Sequence, residues 1–366
     1  MDIESAIKFM EKKQSLGVKP GLSSVSKLLA KMGDPQEKLK IIHIAGTNGK
    51  GTVANIIAAA LCACGLKVGL FTSPWVVDYR DQIQINGNYI PKDKFVAYVS
   101  AYADENVTEF ELLTAIMYQY FADEQVDYAV VECGMGGALD ATNAFARPKL
   151  AVITSVSMDH TAFLGNTLNE IAEQKAGIIK ENCVCILYPN PRCESVFEER
   201  CGQTNSTLIK VPDHNDFKKN NLAVARECVA YLHLCAHIEY PSLPARQENF
   251  GRVMLDGAHN INGAFALLQA LPFEHITTVI SMMADKDCDG YLKLIAPRCR
   301  KIIATETPNP RTLPAENLAE IAGRYCNHVR AEKDPHKALQ LAKAENMYTL
   351  VCGSFFLARE IRKDLI

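Results

Sequence analysis

The segment that most constrains the fold of this chain covers residues 41–61. An apolar run typical of a buried strand leads into the glycine-rich segment 46–52, and a helix-like run follows. The backbone N–H groups of such a turn and the positive end of the helix bind phosphate. Lys50 adds a full positive charge, and Thr52 is placed to offer a hydroxyl to Mg²⁺. The segment therefore predicts a nucleotide-phosphate site, although Gly51 between Lys50 and Thr52 departs from the commonest phosphate loop.

The composition is that of a globular protein with room for two domains. Of its 366 residues, 48% are hydrophobic and 22% are charged. No apolar run approaches the roughly 20 residues of a membrane span. The N-terminus lacks the basic and apolar regions of a signal peptide. A net charge of −3 argues against broad nucleic-acid binding but permits local basic pockets. We therefore expect a cytoplasmic protein that binds neither membranes nor nucleic acid.

The 13 cysteines raise the question of disulfides or a metal site. No two of them have the Cys-x-x-Cys spacing of a zinc or redox motif. We expect small core residues that stay reduced in a cytoplasm.

Strand-like and helix-like runs alternate after residue 40, which predicts a mainly parallel sheet with helices on both faces. Ligands then gather at the carboxyl ends of the strands. The expected fold class is α/β, with a P-loop-type sheet followed by a smaller Rossmann-like domain. The predicted strands are 67–71, 127–132, 150–154, 253–256, 276–281, 301–305 and 348–352, and the predicted helices include 53–61, 109–121 and 261–271.

Turn-forming residues mark the boundaries between these elements. Asn86-Gly87 predicts a tight hairpin, and Pro20-Gly21 predicts a break in the helical pattern of the first 40 residues. Residues 240–244 contain two prolines and form the expected linker. The predicted domains are therefore 1–240 and 241–366.

Three chemically capable side chains follow the predicted strands of the first domain. Glu132 ends a strand before a flexible loop, as a Mg²⁺ ligand or a solvent-facing carboxylate would. His160 follows another strand and could ligate metal or be a polar loop residue. On periodicity alone, Lys175 is a lysine on the surface of a helix.

The turn 256–260 follows the first strand of the second domain. Asp256 could accept hydrogen bonds from a ribose or orient a base, and His259 could face a phosphate. The simpler alternative is an Asx-type turn with Asn260 as the N-cap of the next helix.

Taken together, these segments resemble the Mur ligase superfamily and, within it, the folylpolyglutamate synthase and dihydrofolate synthase family. No single segment decides the family, but their joint order along nearly the whole chain is highly specific. The segments that carry the resemblance are 46–52, 70–74, 132–137, 140–143, 159–167, 175–180, 256–260, 284–287 and 352–354.

The resemblance implies an enzyme that uses ATP and Mg²⁺, with a monovalent cation and carbamylation of Lys175 as further expectations. It also implies a role for individual residues. The residues that would bind ATP are Gly46, Thr47, Asn48, Gly49, Lys50, Gly51, Thr52, Asn221, Arg246 and Asp256. The Mg²⁺ ligands would be Thr52, Glu132, His160 and Lys175, and the substrate would be bound by Thr72, Ser73, Pro74, Trp75 and His259. The catalytic residues would be Lys50, Lys175, Asp256 and His259.

The implied reaction is the ATP-dependent addition of L-glutamate to dihydropteroate, to folate glutamates or to both, through an acyl phosphate. The first domain would bind ATP and carry the folate-side loop, the second would be the glutamate ligase domain, and the protein would be a monomer. Two alternatives are a Mur-type amino-acid ligase for a carboxylate other than a pterin and a nucleotide-binding regulator with a degenerate site. The second is disfavoured because every presumed ATP and metal residue is present.

The chain departs from the family pattern at three places. The family often has His where Trp75 stands, Glu-Arg where Asp81-Gln82 stands, and Pro-Gly-Arg where Pro244-Ala245-Arg246 stands. The first two changes lie on the substrate side. They leave the choice of acceptor open but do not affect the expected ATP chemistry.

Overall fold

A computed structural model describes residues 1–13, 17, 21–271 and 275–366. The chain forms two compact units. The first comprises Met1–Ser157 and Thr161–Pro241, and the second comprises Ser242–Ile366 together with Met158–His160. Pro20 of the predicted Pro20-Gly21 break lies outside the described residues.

The described part of the first unit contains an eight-stranded, mainly parallel sheet in the order β4-β3-β2-β5-β1-β6-β7-β8. Its strands are β1 (Ile41–Ala45), β2 (Val68–Phe71), β3 (Ile83–Ile85), β4 (Asn88–Tyr89), β5 (Tyr128–Glu132), β6 (Leu150–Ile153), β7 (Val184–Leu187) and β8 (Thr207–Lys210). Its helices are α1 (Ile3–Lys13), α2 (Ser23–Lys31), α3 (Lys50–Ala63), α4 (Lys92–Ala101), α5 (Glu109–Asp123), α6 (Thr161–Leu164), α7 (Leu168–Ala176), α8 (Glu194–Gln203) and α9 (Phe217–Tyr231).

β1 lies in the interior of this sheet, in parallel register with β5 on one side and β6 on the other. All five of its residues are buried, as expected for a strand covered on both faces. Because parallel strands end at the same edge, the loops after β1, β5 and β6 meet there. That edge carries the glycine-rich segment and Glu132.

The two faces of the sheet pack into separate hydrophobic clusters. One contains Val53, Ile57 and Leu61 of α3 against β1 residues such as Ile42, and the other contains α5 residues such as Phe121. α3 is apolar nearly all round, which fits a helix covered by α9 as well as by the sheet. This packing fixes the helix that follows the phosphate loop.

The predicted hairpin at Asn86-Gly87 is confirmed. Ile85 pairs with Asn88 in an antiparallel ladder. Asn86 and Gly87 have φ of 47° and 77°, as a type I′ turn requires.

The second unit, taken by itself, is a smaller α/β structure whose described residues include a six-stranded sheet in the order β13-β12-β11-β14-β10-β9. The predicted α/β fold class is thus confirmed for both units. The strands of the second unit are β9 (Glu248–Phe250), β10 (Val253–Leu255), β11 (Ile276–Ile280), β12 (Cys299–Ala304), β13 (Val329–Ala331) and β14 (Thr349–Cys352). Its helices are α10 (Ile261–Ala270), α11 (Cys288–Ile295), α12 (Ala315–Ala322), α13 (Pro335–Ala344) and α14 (Phe355–Arg362).

The cysteines are free thiols, as predicted, and most of them are buried. Among the residues that the structure describes, no helix is both long enough and apolar enough to cross a membrane.

Candidate active site

The phosphate loop is held in place by the loop that follows β6. The Thr47 N–H donates to the Ser155 carbonyl at 2.7 Å. The Thr47 hydroxyl donates to the Ser157 carbonyl and accepts from the Ser157 N–H, each at 3.0 Å. Ser155 Oγ donates to the Asn48 carbonyl at 3.1 Å. These side-chain and backbone bonds hold the phosphate loop against the loop that follows β6.

Two glycines of the loop are required by close approaches. A Cβ at Gly46, where φ is 154°, would lie 1.9 Å from Thr154 Oγ1. A Cβ at Gly49, where φ is 87°, would lie 2.9 Å from Asn221 Oδ1. The structure therefore places Asn221, a predicted nucleotide contact from α9, directly against the phosphate loop.

Lys50 is the first residue of α3, and Gly49 is its N-cap. Lys50 Nζ donates to the Thr47 carbonyl at 3.2 Å, so the ammonium folds back over the loop. Thr52 lies in the first turn of the same helix and is buried. A cation, a hydroxyl and the helix N-terminus are thus gathered within one turn, which is the arrangement that phosphate binding requires.

Glu132 and Lys175 are both buried at this edge of the first unit, each with 2% of its surface exposed. Glu132 Oε2 accepts from the Ser73 N–H at 3.1 Å. Lys175 Nζ donates to the Gly46 carbonyl at 2.9 Å. The interpretation of Lys175 as a helix-surface lysine is therefore wrong, because helix periodicity does not reveal what covers a given face. The interpretation of Glu132 as solvent-facing is also wrong, because Glu132 at the end of β5 is buried and bonds to the loop that follows β2.

The predicted Mg²⁺ ligands are divided between the two units. Thr52, Glu132 and Lys175 belong to the first, and His160 belongs to the second. Within the described ranges, no three His, Cys, Asp or Glu side chains form a metal-binding group. The buried carboxylate of Glu132 and the hydroxyl of Thr52 are nevertheless hard oxygen donors of the kind that Mg²⁺ prefers. Their chemistry fits the ion, and the full ligand set stays a prediction.

The loop that follows β2 contains the predicted substrate residues 72–75. The Thr72 N–H donates to the Gln82 carbonyl at 3.1 Å. Asp81 Oδ2 accepts from the N–H groups of Val76 and Val77 at 2.9 and 2.8 Å. Asp81 and Gln82, where the chain departs from the family pattern, therefore hold the loop by accepting hydrogen bonds from its backbone N–H groups. Trp75, the other departure, lies with its ring 6.0 Å from that of Tyr79.

In the second unit, Asp256 organises the turn that follows β10. Its Oδ1 accepts from the Ala258 N–H at 2.7 Å and its Oδ2 from the Gln247 N–H at 2.8 Å. Asn260 caps α10 through a 2.8 Å bond from the Gly263 N–H to its Oδ1, so the predicted N-cap is confirmed. The Asx-turn alternative thus describes the local structure correctly, and the proposed nucleotide role of Asp256 stays a prediction.

His259 carries a specific tautomer. Its Nδ1 lies 2.9 Å from the Gly257 carbonyl, which can only accept, so Nδ1 holds the proton. Burial, reinforced by the positive charge of Lys286, lowers the pKa of His259 to about 4. The ring is therefore neutral at pH 7, with an unprotonated Nε2 that can accept a proton.

Arg246 lies in a turn of unusual backbone conformation. Ala245 and Gln247 have φ of 54° and 52°. Ala245 thus adopts the left-handed conformation that glycine adopts freely and that costs an alanine free energy, and glycine is the residue that the family pattern often has here. The Arg246 guanidinium lies 4.5 Å from the centre of the Phe355 ring, where a cation–π contact orients it.

A buried ionic cluster in the second unit was not assigned from the sequence. Lys286 Nζ bonds to Asp159 Oδ1 at 2.5 Å and lies 3.4 Å from His160 Nε2. Asp159 Oδ2 accepts from Asn260 Nδ2 at 2.8 Å. The Lys286 ammonium, His160 and His259 together hold the pKa of Asp159 well below its usual range, although burial acts in the opposite direction. Asp159 and Lys286 both lie in segments that carry the family resemblance, 159–167 and 284–287, and that membership is the sequence signal that could have identified them.

Glu248 and Arg362 form a second group that sequence reasoning missed. Arg362 Nε and Nη2 contact both carboxylate oxygens of Glu248 at 2.8 to 3.1 Å. Glu248 Oε2 also accepts from the Ala245 N–H at 2.9 Å. The pair therefore ties β9, α14 and the Arg246 turn together, and no local pattern pairs residues so far apart in sequence.

We expect Glu248→Gln to destabilise the protein by about 2 kcal/mol, because it leaves the Arg362 charge largely buried without its counter-ion. The side chains of Glu248 and Arg362 are only 13% and 17% exposed. Urea unfolding would measure the change. As a control, Arg311→Gln removes the more exposed pair with Asp285 and should cost less than about 0.5 kcal/mol. Equal losses in the two variants would contradict the buried-pair argument.

Comparisons with known proteins agree with this geometry. Residues 44–267 match the Mur ligase middle domain, and residues 245–355 match the Mur ligase glutamate ligase domain. A probable dihydrofolate synthetase of Schizosaccharomyces pombe is 31% identical, with 94% of this chain and 98% of the relative covered. The folylpolyglutamate synthase of Lacticaseibacillus casei is also 31% identical, with 93% of both chains covered.

Solved structures of the same group share the whole fold. Escherichia coli FolC in complex with DHPP and ADP superposes with a TM-score of 0.89 at 27% identity, covering 100% of this chain and 97% of that one. The Yersinia pestis bifunctional enzyme complexed with AMPPNP and Mn ion gives 0.88 at 25% identity, covering 100% and 98%. The chain therefore belongs to the folylpolyglutamate synthase and dihydrofolate synthase family of the Mur ligase superfamily.

Proposed function

We propose that the chain is an ATP-dependent ligase that joins the amine of L-glutamate to the carboxylate of dihydropteroate, of a folate glutamate, or of both. The observation that carries this proposal is the full-length match to relatives named as dihydrofolate synthase and folylpolyglutamate synthase. The glycine-rich loop with Lys50 at the start of α3 would supply the ATP site that such a reaction needs. The alternative of a non-pterin acceptor is not favoured by any of these relatives.

The reaction must convert a poor acyl donor into a good one. An oxygen of the acceptor carboxylate attacks the γ-phosphorus of ATP, the bond to the β-phosphate oxygen breaks, and ADP leaves. The glutamate nitrogen then attacks the carbonyl carbon of the acyl phosphate, phosphate leaves, and an amide remains. Lys50 and the N-terminus of α3 stabilise the charge that develops on the transferred phosphoryl group.

Mg²⁺, when bound, would neutralise phosphate charge, and the residues that would hold it are Thr52, Glu132, His160 and Lys175. Arg246 and Asp256 are proposed to contact the nucleotide. His259, whose Nε2 is unprotonated, is proposed to face the amino group of glutamate. That group attacks as the neutral amine and releases a proton to solvent as the amide forms.

Carbamylation of Lys175 is part of the proposal. Lys175 is only 2% exposed, and a charge so deeply buried is costly to desolvate. A carbamate would turn the side chain into an oxygen ligand for the metal. We expect ¹³C-labelled bicarbonate to give a carbamate signal in the wild-type protein and none in Lys175→Met. A matched Lys38→Met variant, at an exposed lysine, should keep the signal. A signal that survives in Lys175→Met would reject this site.

The proposed function is tested by ADP release with candidate acceptors. ATP consumption should require both L-glutamate and a pterin acid, and mass spectrometry should show the amide product. Dihydropteroate and tetrahydrofolyl monoglutamate, supplied separately, distinguish the two ligase activities. Turnover with neither pterin but with another carboxylate would overturn the proposal. Monomeric state, which light scattering would measure, and cytoplasmic location are proposed on the same family grounds.

A further inference from the structure

A cavity of about 650 Å³ lies in the first unit and is lined in part by residues of segments 140–143 and 175–180. None of the residues that line it is among the predicted nucleotide, metal or substrate residues. Its volume falls within the roughly 300 to 1,000 Å³ of small-molecule sites. The cavity therefore has the size of a ligand site but no role in the proposed reaction.

The lining is strongly cationic. It includes Arg147, Lys180 and Arg200, whereas Glu181 supplies the only carboxylate among the described lining residues. In the described part of the chain, none of the three cations forms an ion pair. Like charges gathered in one concavity repel each other. Glu37, which accepts from the N–H of the lining residue Ala146, offsets part of the charge at Lys180, and the three cations still outnumber the nearby carboxylates Glu37 and Glu181.

Two of these cations are fixed in position while keeping donors for a ligand. Lys180 Nζ donates to the carbonyls of Asn143, at 2.9 Å, and Phe145. An ammonium has three N–H groups, so one is left. Arg200 Nε donates to the Ile179 carbonyl at 3.1 Å, which orients the guanidinium and leaves both terminal nitrogens. Arg147 is exposed and adds a third cation at the same cavity.

Asn143 provides independent evidence for a ligand, because one of its buried polar atoms lacks a hydrogen-bond partner in the described structure. Its side chain is only 4% exposed and lines the cavity. Its Nδ2 donates to the carbonyls of Ala138 and Gly177, at 3.2 Å each, but its buried Oδ1 has no partner in the described structure. A buried acceptor without a donor is costly, and a ligand or a ligand-held water would satisfy it.

We propose that this cavity binds a small polyanion carrying more than one phosphate or carboxylate group. Arg147, Lys180 and Arg200 would each donate charge-assisted hydrogen bonds to it. Arginine suits the planar, paired oxygens of both groups, which are therefore equivalent in this argument. The proposal does not depend on the ligase function.

The test uses two probes, inorganic tripolyphosphate and citrate, titrated separately by calorimetry into the full chain. Saturating ADP would occupy the phosphate loop throughout. We expect saturable one-to-one binding of at least one probe, and the probe that binds identifies the anionic group. Binding should shift the backbone amide signals of Ala146 and Gly177, which line the cavity.

Two charge-reversal variants at exposed arginines distinguish binding of the anion in this cavity from its general attraction to positive charge on the protein. Arg147→Glu should weaken binding by about tenfold, whereas Arg226→Glu, on the exposed part of α9, should change it by less than about twofold. Both variants should fold, because neither side chain is buried. Failure of both probes to saturate, or equal weakening by the two variants, would overturn the proposal.

Discussion

Lys50→Ala is expected to lower the rate of ADP formation by about a hundredfold or more. The side chain is the cation of the phosphate loop, at the first residue of α3. Its charge matters most when the γ-phosphoryl group moves, because the electrostatic stabilisation is then aimed at charge that is developing. The fold should be little affected, since, among the residues that the structure describes, Nζ bonds only to the Thr47 carbonyl, at 3.2 Å.

Two control variants separate the effect of the Lys50 charge from its shape and from the loss of any surface lysine. Lys50→Arg keeps the charge with a different shape and should recover part of the activity if charge is the main contribution. Lys38→Ala removes a charge from an exposed site and should leave the rate unchanged. Thermal unfolding of all three variants would show whether the fold is intact. Ligation by Lys50→Ala at the wild-type rate would show that the phosphate loop has been assigned wrongly.

Gly46→Ala is expected to destabilise the first unit strongly. The added Cβ would lie 1.9 Å from Thr154 Oγ1, and φ is 154°. The clash and the backbone strain together are expected to cost roughly 3 kcal/mol. Relief of the clash would separate the phosphate loop from the loop after β6, so nucleotide binding should be lost as well. Urea unfolding and ADP titration measure the two effects.

Gly65→Ala is the matched comparison. Gly65 has φ of 81° but nothing within 4 Å of the added Cβ. The substitution should therefore cost only the backbone strain, roughly 1 kcal/mol, and should not change ADP binding. Similar losses at the two positions would mean that backbone conformation alone, and not the approach of Thr154, requires glycine at Gly46.

Local patterns predicted the elements of the fold well. β5 and β6 were placed within one residue of their observed ends, and the hairpin at Asn86-Gly87 and the N-cap at Asn260 were identified from their residues. These features depend on short-range rules: apolar runs form buried strands, Asn-Gly favours positive φ, and an Asn side chain caps a helix. The sequence was less informative wherever the partner is distant along the chain.

Lys175 and Asp159 show why. A lysine late in a short helix has no sequence signal for burial, yet Lys175 bonds to Gly46, 129 residues away. Asp159 meets Lys286 across 127 residues. The cationic cavity gathers Arg147, Lys180 and Arg200 from separate segments in the same way. Periodicity describes one element at a time, so it cannot predict which faces become covered.

The sequence by itself determined the order of strands and helices, the phosphate loop and the family, because each is encoded in contiguous residues. Only the tertiary structure decided which charged groups are buried, which tautomer His259 adopts and why Gly46 cannot carry a side chain. The physical reason is that burial, hydrogen-bond partners and close approaches depend on distances between segments, and those distances exist only after the chain has folded.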